Sequence, residues 1–178
     1  GATLTYVKVT QDDGWTYYLA QGAVKSTLKG KFEIVGELKG AEMLGWEYRG
    51  PFDELPATEA ALSGAYRHRV IAWKDVGEEE GTGIVHIAPG CGAEDFHLSK
   101  EHSLPVIAPL DENGIYLDGF AWLTGSHVAN VAAPIFDSLR AKNVLYRTQR
   151  YSHRYPTCWR CGEELIFRLV DEWFISMG

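Results

Sequence analysis

Apolar and polar residues alternate along the first third of the chain, a pattern of period two that is typical of half-buried β-strands. The alternation is clearest over residues 4–9, 15–20 and 32–38. An Asp-Gly pair ends the polar stretch 11–14, so the first two runs are predicted to form a hairpin. Further strands are predicted over 67–73, 84–88, 144–147 and 165–169, and 45–52 is predicted to pass from strand to turn.

Helical periodicity is strongest over residues 130–142. Three apolar residues repeat there at intervals of four, namely Val131, Ile135 and Leu139. Asn130 is predicted to be the N-cap, and Pro134 falls near the first turn, where proline is tolerated. A second helix is predicted over 92–102, and a short helical turn within 55–62.

Many short strands with a few helices predict a mainly β, α+β fold, a β-barrel-like domain with flanking helices. We expect the barrel and its helices to occupy residues 1–142. Residues 143–178 are expected to form a strand-rich strip that leads out of it.

The composition excludes several protein classes. The chain has 178 residues, 46% of them hydrophobic, which is enough for a sizeable core, yet no apolar run approaches the roughly 20 residues of a membrane span. Its three cysteines are Cys91, Cys158 and Cys161. An odd, small number argues against a disulfide framework and for a reducing, cytoplasmic compartment.

Charge is distributed unevenly along the chain. Residues 1–139 carry 10 Lys and Arg against 20 Asp and Glu, whereas residues 140–168 carry 7 against 2. The acidic bulk argues against non-specific duplex binding, and the basic segment could meet phosphate locally. Charge alone favours a simpler interpretation, in which residues 140–168 form a basic surface exposed to solvent.

Residues 81–96 form the segment richest in candidate chemistry, Gly-Thr-Gly-Ile-Val-His-Ile-Ala-Pro-Gly-Cys-Gly-Ala-Glu-Asp-Phe. Flanking glycines let a backbone approach a ligand closely. Asp95 falls early in the predicted helix, where the helix dipole favours a carboxylate, and a carboxylate there can hold an ammonium group. From spacing alone a simpler interpretation is favoured, with Asp95 as a helix-capping acid and His86 as a core histidine.

This segment resembles the editing signature of isoleucyl-tRNA synthetases, Gly-Thr-Gly-x-Val-His-x-Ala-Pro, then Gly, then Asp-(Phe/Tyr). Valyl and leucyl enzymes share its opening and late Asp, but they carry Lys or Met where this chain has His86. The resemblance continues through residues 151–161, which resemble the family's His-x-Tyr-Pro-x-Cys-Trp-Arg stretch, and through 171–175, which resemble the exit toward the catalytic core. It covers roughly residues 66–178 convincingly and residues 1–65 in general character only.

The resemblance implies an editing domain that hydrolyses valine wrongly attached to tRNA(Ile), and it leaves open whether valyl-adenylate is a second substrate. Asp95 would hold the α-ammonium group and His86 would help to exclude isoleucine. The other implied substrate-binding residues are Gly81, Thr82, Gly83, Val85, Ala88, Pro89, Gly92 and Tyr155. Tyr155 and His153 would reach the site or the tRNA end, with aromatic packing as an equal alternative. Cys91 has no matching base, so it is expected to be a packed residue rather than a nucleophile.

The sequence departs from the family pattern in one respect. A threonine-rich strip of Thr-Thr-Thr-Pro-Trp-Thr type, expected before the first strands, does not occur in it. Its absence keeps one alternative open, a catalytically impaired module that binds the aminoacylated tRNA 3′ end. The editing domain of a valyl or leucyl enzyme is a separate alternative.

The cofactors and partners implied are few. The chain has neither a His-Ile-Gly-His nor a Lys-Met-Ser-Lys-Ser motif, so ATP and magnesium are not expected. Cys158 and Cys161 supply two of the four ligands of a structural zinc site, so zinc requires ligands from elsewhere, and no metal site is expected within this chain. The implied partners are the tRNA(Ile) 3′ end carrying valine and the rest of the parent synthetase. The chain itself is expected to be a monomer that does not bind membranes.

Overall fold

The computed structural model describes residues 1–62, 66–79, 81–150, 154–173, 175 and 177. The chain divides into two compact units. The first comprises Gly1–Arg49 and Arg67–Ile87, and the second comprises Gly50–Tyr66 and Ala88–Gly178. The boundary predicted at residue 142 stays a prediction.

An antiparallel sheet of strand order β2-β1-β3 forms the centre of the first unit. Its strands are β1 (Thr5–Gln11), β2 (Thr16–Ala20) and β3 (Phe32–Lys39). The predicted β1–β2 hairpin is confirmed. Gly14 adopts φ +81° in its turn, and the Asp13 carboxylate accepts a hydrogen bond from the backbone N–H of Trp15 at 2.9 Å.

The central strand carries the core of the first unit. Val7 and Val9 on β1 pack with Leu19, Val24 and Leu28, and Val7, Val9 and Leu19 are almost completely buried. Burying each such side chain contributes about 1.5–3 kcal/mol. A second cluster of buried residues contains Tyr6, Ala20, Ala23 and Met43.

Short elements complete the first unit. A 3-10 turn (Gln21–Ala23) and α1 (Val24–Thr27) follow β2, and α2 (Gly40–Met43) follows β3. A separate two-stranded sheet pairs β4 (Glu47–Tyr48) with β5 (His68–Arg69).

The second unit contains three of the α-helices, α3 (Pro56–Ala61), α4 (Ala93–His102) and α5 (Ala132–Ala141). Two 3-10 turns, Ala121–Leu123 and Val128–Asn130, precede α5. Its buried cluster consists of Leu55, Phe120, Leu123 and Val131. Pro56 opens α3, and Ser103 ends α4 in the left-handed conformation, φ +53°. None of the described helices is both long and apolar enough to cross a bilayer.

The structure has the predicted α+β character, but its sheets are open and the barrel closure predicted from the sequence is not found in the described residues. Residues 84–88, 144–147 and 165–169 form no strand, and the strands predicted at 45–52 and 67–73 shrink to two residues each. A strand requires a partner, and a short apolar run does not reveal whether one is present.

The predicted N-cap of the last helix is wrong. Helix α5 begins at Ala132 after Val131, and Asn130 lies in the preceding 3-10 turn. The His127 imidazole caps that turn instead, because its Nδ1 accepts the backbone N–H of Ala129 at 3.2 Å. Pro134 does fall in the first turn of α5, as expected.

Candidate functional site

The glycine-rich segment 81–96 contributes residues to both units. Residues 81–87 belong to the first unit, and residues 88–96 belong to the second. Each part has its own local architecture.

The opening Gly81-Thr82-Gly83 is a bend held against the main sheet. Gly81 and Gly83 adopt φ +66° and +71°, a conformation that side chains with a Cβ rarely take. Gly83 is buried, and a Cβ added there would lie 2.4 Å from the Cβ of Ala20. Both glycines are therefore required by the backbone path, and the close approach of a ligand that the sequence predicts for them stays a prediction.

Residues 84–87 follow as an irregular segment, and the side chains of residues 84–86 are exposed. Ile84 and Val85 are 45% and 47% exposed, and His86 is exposed as well. His86 is therefore not the buried core histidine of the simpler interpretation. An exposed imidazole is available to contact a ligand.

In the second unit, Asp95 is held in a defined position in the first turn of α4. Its Oδ1 accepts a hydrogen bond from the backbone N–H of Ala88 at 3.0 Å, and the residue is half-buried. The Gly92 carbonyl accepts the N–H of Phe96 at 3.0 Å. Asp95 does not cap its own helix, because Gly92 is the N-cap and no side chain caps it. The carboxylate instead ties the helix start to the preceding Ala88.

Two glycines of the preceding loop lie where the chain approaches itself closely. A Cβ on Gly92 would lie 2.3 Å from Asp95 Oδ2, and one on Gly90 would lie 2.4 Å from the Ile107 carbonyl oxygen. Ala88 and Pro89 are half-buried beside them. The structure thus brings together Ala88, Gly92 and Asp95 from the predicted site residues.

Cys91 lies in the same loop and is exposed, which differs from the packed position expected from the sequence. Its backbone N–H donates to the Ala88 carbonyl at 2.8 Å. Desolvation by the surrounding loop and the negative charge of Asp95 raise the pKa of the thiol. A thiol with a raised pKa is a weak nucleophile at neutral pH, because only the thiolate reacts.

Tyr155 and the two remaining cysteines lie in a hairpin-like loop of the second unit. Thr157 and Glu164 form an isolated antiparallel bridge, and the Cys158 N–H donates to the Glu163 carbonyl at 2.7 Å. Tyr155 is 43% exposed and meets Phe167 edge to face at 6.5 Å. His153 lies outside the described residues, as does Phe174 in the exit segment.

Cys158 and Cys161 lie at the turn of this loop, and Cys158 has a thiol of increased acidity. The backbone N–H groups of Cys161 and Arg160, and the Cys161 side chain, lower the pKa of Cys158. Among the described residues, no group of three or more His, Cys, Asp or Glu side chains is placed to hold a metal ion.

Tyr6 and Thr27 were not identified from the sequence as site residues. The Tyr6 hydroxyl donates to the Gly83 carbonyl at 2.6 Å, and the Thr27 hydroxyl donates to the Gly81 carbonyl at 2.8 Å. These contacts span 77 and 54 residues of sequence, so no local pattern could reveal them.

The sequence of the chain is similar to that of several isoleucine–tRNA ligases. No family model matches the chain. It is 40% identical over 168 residues to the isoleucine–tRNA ligase of Methanothermobacter marburgensis, an alignment that covers 94% of the chain. It is also 38% identical over 178 residues to the isoleucine–tRNA ligase of Thermococcus kodakarensis, and 34% identical over 184 residues to that of Methanococcus maripaludis.

The sequence therefore groups with one segment of the isoleucine–tRNA ligases. The chain spans about a sixth of the length of these relatives, 16% of the M. marburgensis ligase and 18% of the M. maripaludis ligase. The alignments cover 94–97% of the chain. The family resemblance thus extends over residues 1–65, which had matched the isoleucyl-tRNA synthetase pattern only in general character.

Proposed function

We propose that this chain is the editing domain of an isoleucyl-tRNA synthetase and hydrolyses the ester that joins valine to the terminal adenosine of tRNA(Ile). Two observations support the proposal, the similarity to isoleucine–tRNA ligases and the signature at residues 81–96. The observation that carries it is the Asp95 carboxylate, anchored by the Ala88 N–H at the start of α4.

The chemical problem explains why such a domain is required. Valine and isoleucine differ by one methylene, and burying a methylene contributes about 0.8 kcal/mol, so a binding pocket alone rejects valine poorly. Isoleucyl-tRNA synthetase is itself the standard example of a second, smaller site that removes the wrong product. An editing site must therefore admit valine and exclude isoleucine.

Asp95 supplies the ammonium-binding group in this proposal. Its Oδ1 is already engaged by Ala88, so the carboxylate has a fixed orientation, and the amide dipoles at the start of α4 favour its negative charge. A charge-assisted hydrogen bond to the α-ammonium of valine would place the ester at a defined distance. Ala88, Pro89 and Gly92 would form the adjacent wall.

His86 limits the size of the amino acid in the same proposal. Its side chain is exposed and follows the anchored bend 81–83, where it can meet a substrate side chain. The exposed Val85 and the backbone of Gly81, Thr82 and Gly83 would contact the valine side chain. Tyr155 would contact the tRNA end, and its exposed ring is compatible with stacking.

The reaction itself requires only a positioned water molecule. The water oxygen bonds to the ester carbonyl carbon, the bond from that carbon to the ribose oxygen breaks, and a water proton passes to the ribose oxygen. Cys91 is unsuited to attack because its pKa is raised. Catalysis then rests on orientation by the anchored ammonium group and the loop backbone.

The partners and location follow from the same proposal. The chain would act as a monomer in the cytoplasm, on the 3′ end of valyl-tRNA(Ile) and together with the rest of the synthetase. Cys158 and Cys161 fit half of a tetrahedral zinc site, because their loop already directs backbone N–H groups at the Cys158 sulfur. The other ligands would come from elsewhere in the synthetase, and a zinc ion there would be structural.

The test combines binding and turnover. Binding is measured by calorimetry with a non-hydrolysable amide analogue of valyl-adenosine, and turnover is measured as deacylation of valyl-tRNA(Ile). We expect Asp95→Asn to weaken analogue binding about 10- to 100-fold, the range of a hydrogen bond to a charged group. Asn retains an acceptor for Ala88 but removes the charge.

Glu94→Gln is the matched control, because Glu94 is the neighbouring acid in the same helical turn and is exposed. It should bind the analogue as the unaltered chain does. Equal binding by Asp95→Asn and the unaltered chain would refute the role of Asp95. Tight binding by the unaltered chain without deacylation would instead identify a module that holds the aminoacylated tRNA end.

A further inference from the structure

We infer that Tyr6 and Thr27 are positioning residues that set the shape of the substrate-facing Gly81-Thr82-Gly83 bend through its carbonyl groups. This inference rests on the proposed function, because it assigns these two hydroxyls a role in how tightly and how selectively the bend contacts the amino acid. Neither residue touches the substrate in this scheme.

Three consecutive carbonyls of the bend each accept a hydrogen bond from a donor on the main sheet or on α1. The Thr27 hydroxyl donates to Gly81 at 2.8 Å, the Ala20 N–H donates to Thr82 at 2.8 Å, and the Tyr6 hydroxyl donates to Gly83 at 2.6 Å. The donors come from the end of α1, the end of β2 and the central strand β1. Each residue of the bend is thus attached to another element of the first unit.

The Tyr6 contact is a buried hydrogen bond. Tyr6 is 3% exposed, and its ring belongs to the buried cluster with Ala20, Ala23 and Met43. Its hydroxyl oxygen also accepts a hydrogen bond from the Gly1 amino group at 2.7 Å. Desolvation and the negative charge of Glu78 raise the pKa of Tyr6, so the hydroxyl keeps the proton that it donates to Gly83.

Holding the carbonyls also orients the amide groups of the bend. A trans peptide unit is planar, with its N–H directed opposite to its C=O. The N–H groups of Thr82 and Gly83 are therefore directed away from the donors that hold the Gly81 and Thr82 carbonyls. The Ile84 N–H is paired within the bend, because it donates to the Thr82 hydroxyl at 3.3 Å.

The positive φ angles at Gly81 and Gly83 make the bend dependent on these anchors. Glycine visits many conformations when free, so a bend built on two glycines keeps one shape only when other groups hold it. Loss of one hydroxyl should leave the sheet intact while it loosens the surface that the substrate meets.

The experiment uses two substitutions that remove a hydroxyl with little change of shape, Tyr6→Phe and Thr27→Val. We expect each to weaken binding of the valyl-adenosine amide analogue about 3- to 10-fold, the size of one hydrogen bond. The preference for the valyl over the isoleucyl analogue should also fall. A variant that merely lost fold stability would keep the same preference. Thr27→Ser restores the hydroxyl and should restore both values.

Tyr17→Phe is the control, because Tyr17 is a tyrosine of the same sheet whose hydroxyl donates to the Asp13 carboxylate in the β1–β2 turn. It should change neither affinity nor preference. If Tyr6→Phe does not fold, the comparison of Thr27→Val with Thr27→Ser tests the inference by itself. Unchanged affinity and preference in Thr27→Val would overturn the inference.

Hydrogen exchange at the amides of residues 81–84 separates failure of this inference from failure of the proposed function. If the unaltered chain binds no valyl analogue, the proposed function fails. Faster exchange in Thr27→Val would then still support the anchoring of the bend, and unchanged exchange would overturn it.

Discussion

Gly92 and Asp95 are in close contact at the start of α4, where a Cβ on Gly92 would lie 2.3 Å from Asp95 Oδ2. The φ of Gly92 is −153°, an extended conformation open to any residue, so the glycine is required by space and not by its backbone angle. The small size of Gly92 therefore affects where the Asp95 carboxylate, the proposed ammonium-binding group, lies.

Gly92→Ala should therefore displace the Asp95 carboxylate while the chain stays folded. The carboxylate is the movable end of a side chain, so the expected result is about 10-fold weaker binding of the valyl-adenosine analogue, comparable to loss of one charge-assisted hydrogen bond. Calorimetry measures the affinity and circular dichroism checks the fold. Gly77→Ala is the control, since a Cβ there meets nothing within 4 Å. Equal affinities for both variants would contradict the prediction.

His86→Ala should enlarge the space available to the side chain of the bound amino acid. Removal of the imidazole is expected to improve binding of the isoleucyl analogue relative to the valyl analogue by about 4-fold, the value of one accommodated methylene. The two dissociation constants are compared in one titration series. His97→Ala provides a matched exposed histidine on α4 and should leave the ratio unchanged. A constant ratio in His86→Ala would remove His86 from the selectivity determinants.

Alkylation by iodoacetamide should distinguish the cysteines. Desolvation and Asp95 raise the pKa of Cys91, whereas the N–H groups of Cys161 and Arg160 lower that of Cys158. Only the thiolate reacts, so at pH 7 Cys158 should be modified faster than Cys91, and the difference should narrow as pH rises. Mass spectrometry of timed digests measures both rates. Asp95→Asn should speed Cys91 modification alone, and faster reaction of Cys91 than of Cys158 at pH 7 would contradict the assignment.

Lys142 should stabilise the second unit in a pH-dependent manner. Its Nζ pairs with the Glu54 carboxylate, donates to the Pro51 carbonyl at 2.5 Å and lies 4.5 Å from the Phe52 ring centre. Lys142→Met should lower the free energy of unfolding at pH 7 by about 1 kcal/mol, because an exposed ion pair contributes little.

The pH dependence follows from Glu54. The hydrogen bond from Lys142 lowers the pKa of Glu54 below that of an ordinary glutamate carboxyl group, so the ion pair contributes fully above that ordinary range. Its contribution is lost as pH falls through the lower pKa of the folded state. Urea titrations at pH 7 and pH 3 should therefore show a smaller effect of Lys142→Met at pH 3. Lys100→Met is the control, since Lys100 covers the Phe96 ring at 4.3 Å. An effect of Lys142→Met that is the same at both pH values would refute the role of Glu54.

The elements that the sequence predicted correctly are those with strong local signals. The β1–β2 hairpin carried an Asp-Gly turn between alternating runs, and α4 carried early acids followed by a proline just beyond its end. The strands predicted wrongly would have required a pairing strand from elsewhere in the chain. Residues 84–88 are apolar enough for a strand, but in the structure they are irregular, and residues 84–86 are exposed.

The sequence by itself determined the glycine-rich signature, the position of Asp95 early in a helix and the family to which these residues point, because each is encoded in adjacent residues. Only the tertiary structure decided that Asp95 binds the Ala88 N–H, and that Tyr6, Ala20 and Thr27 hold the 81–83 bend. It also decided that, among the described residues, the main sheet is open, with β2 and β3 as its edge strands. Contacts across dozens of residues depend on how the whole chain packs, and no short-range pattern of hydrophobic and polar residues specifies them.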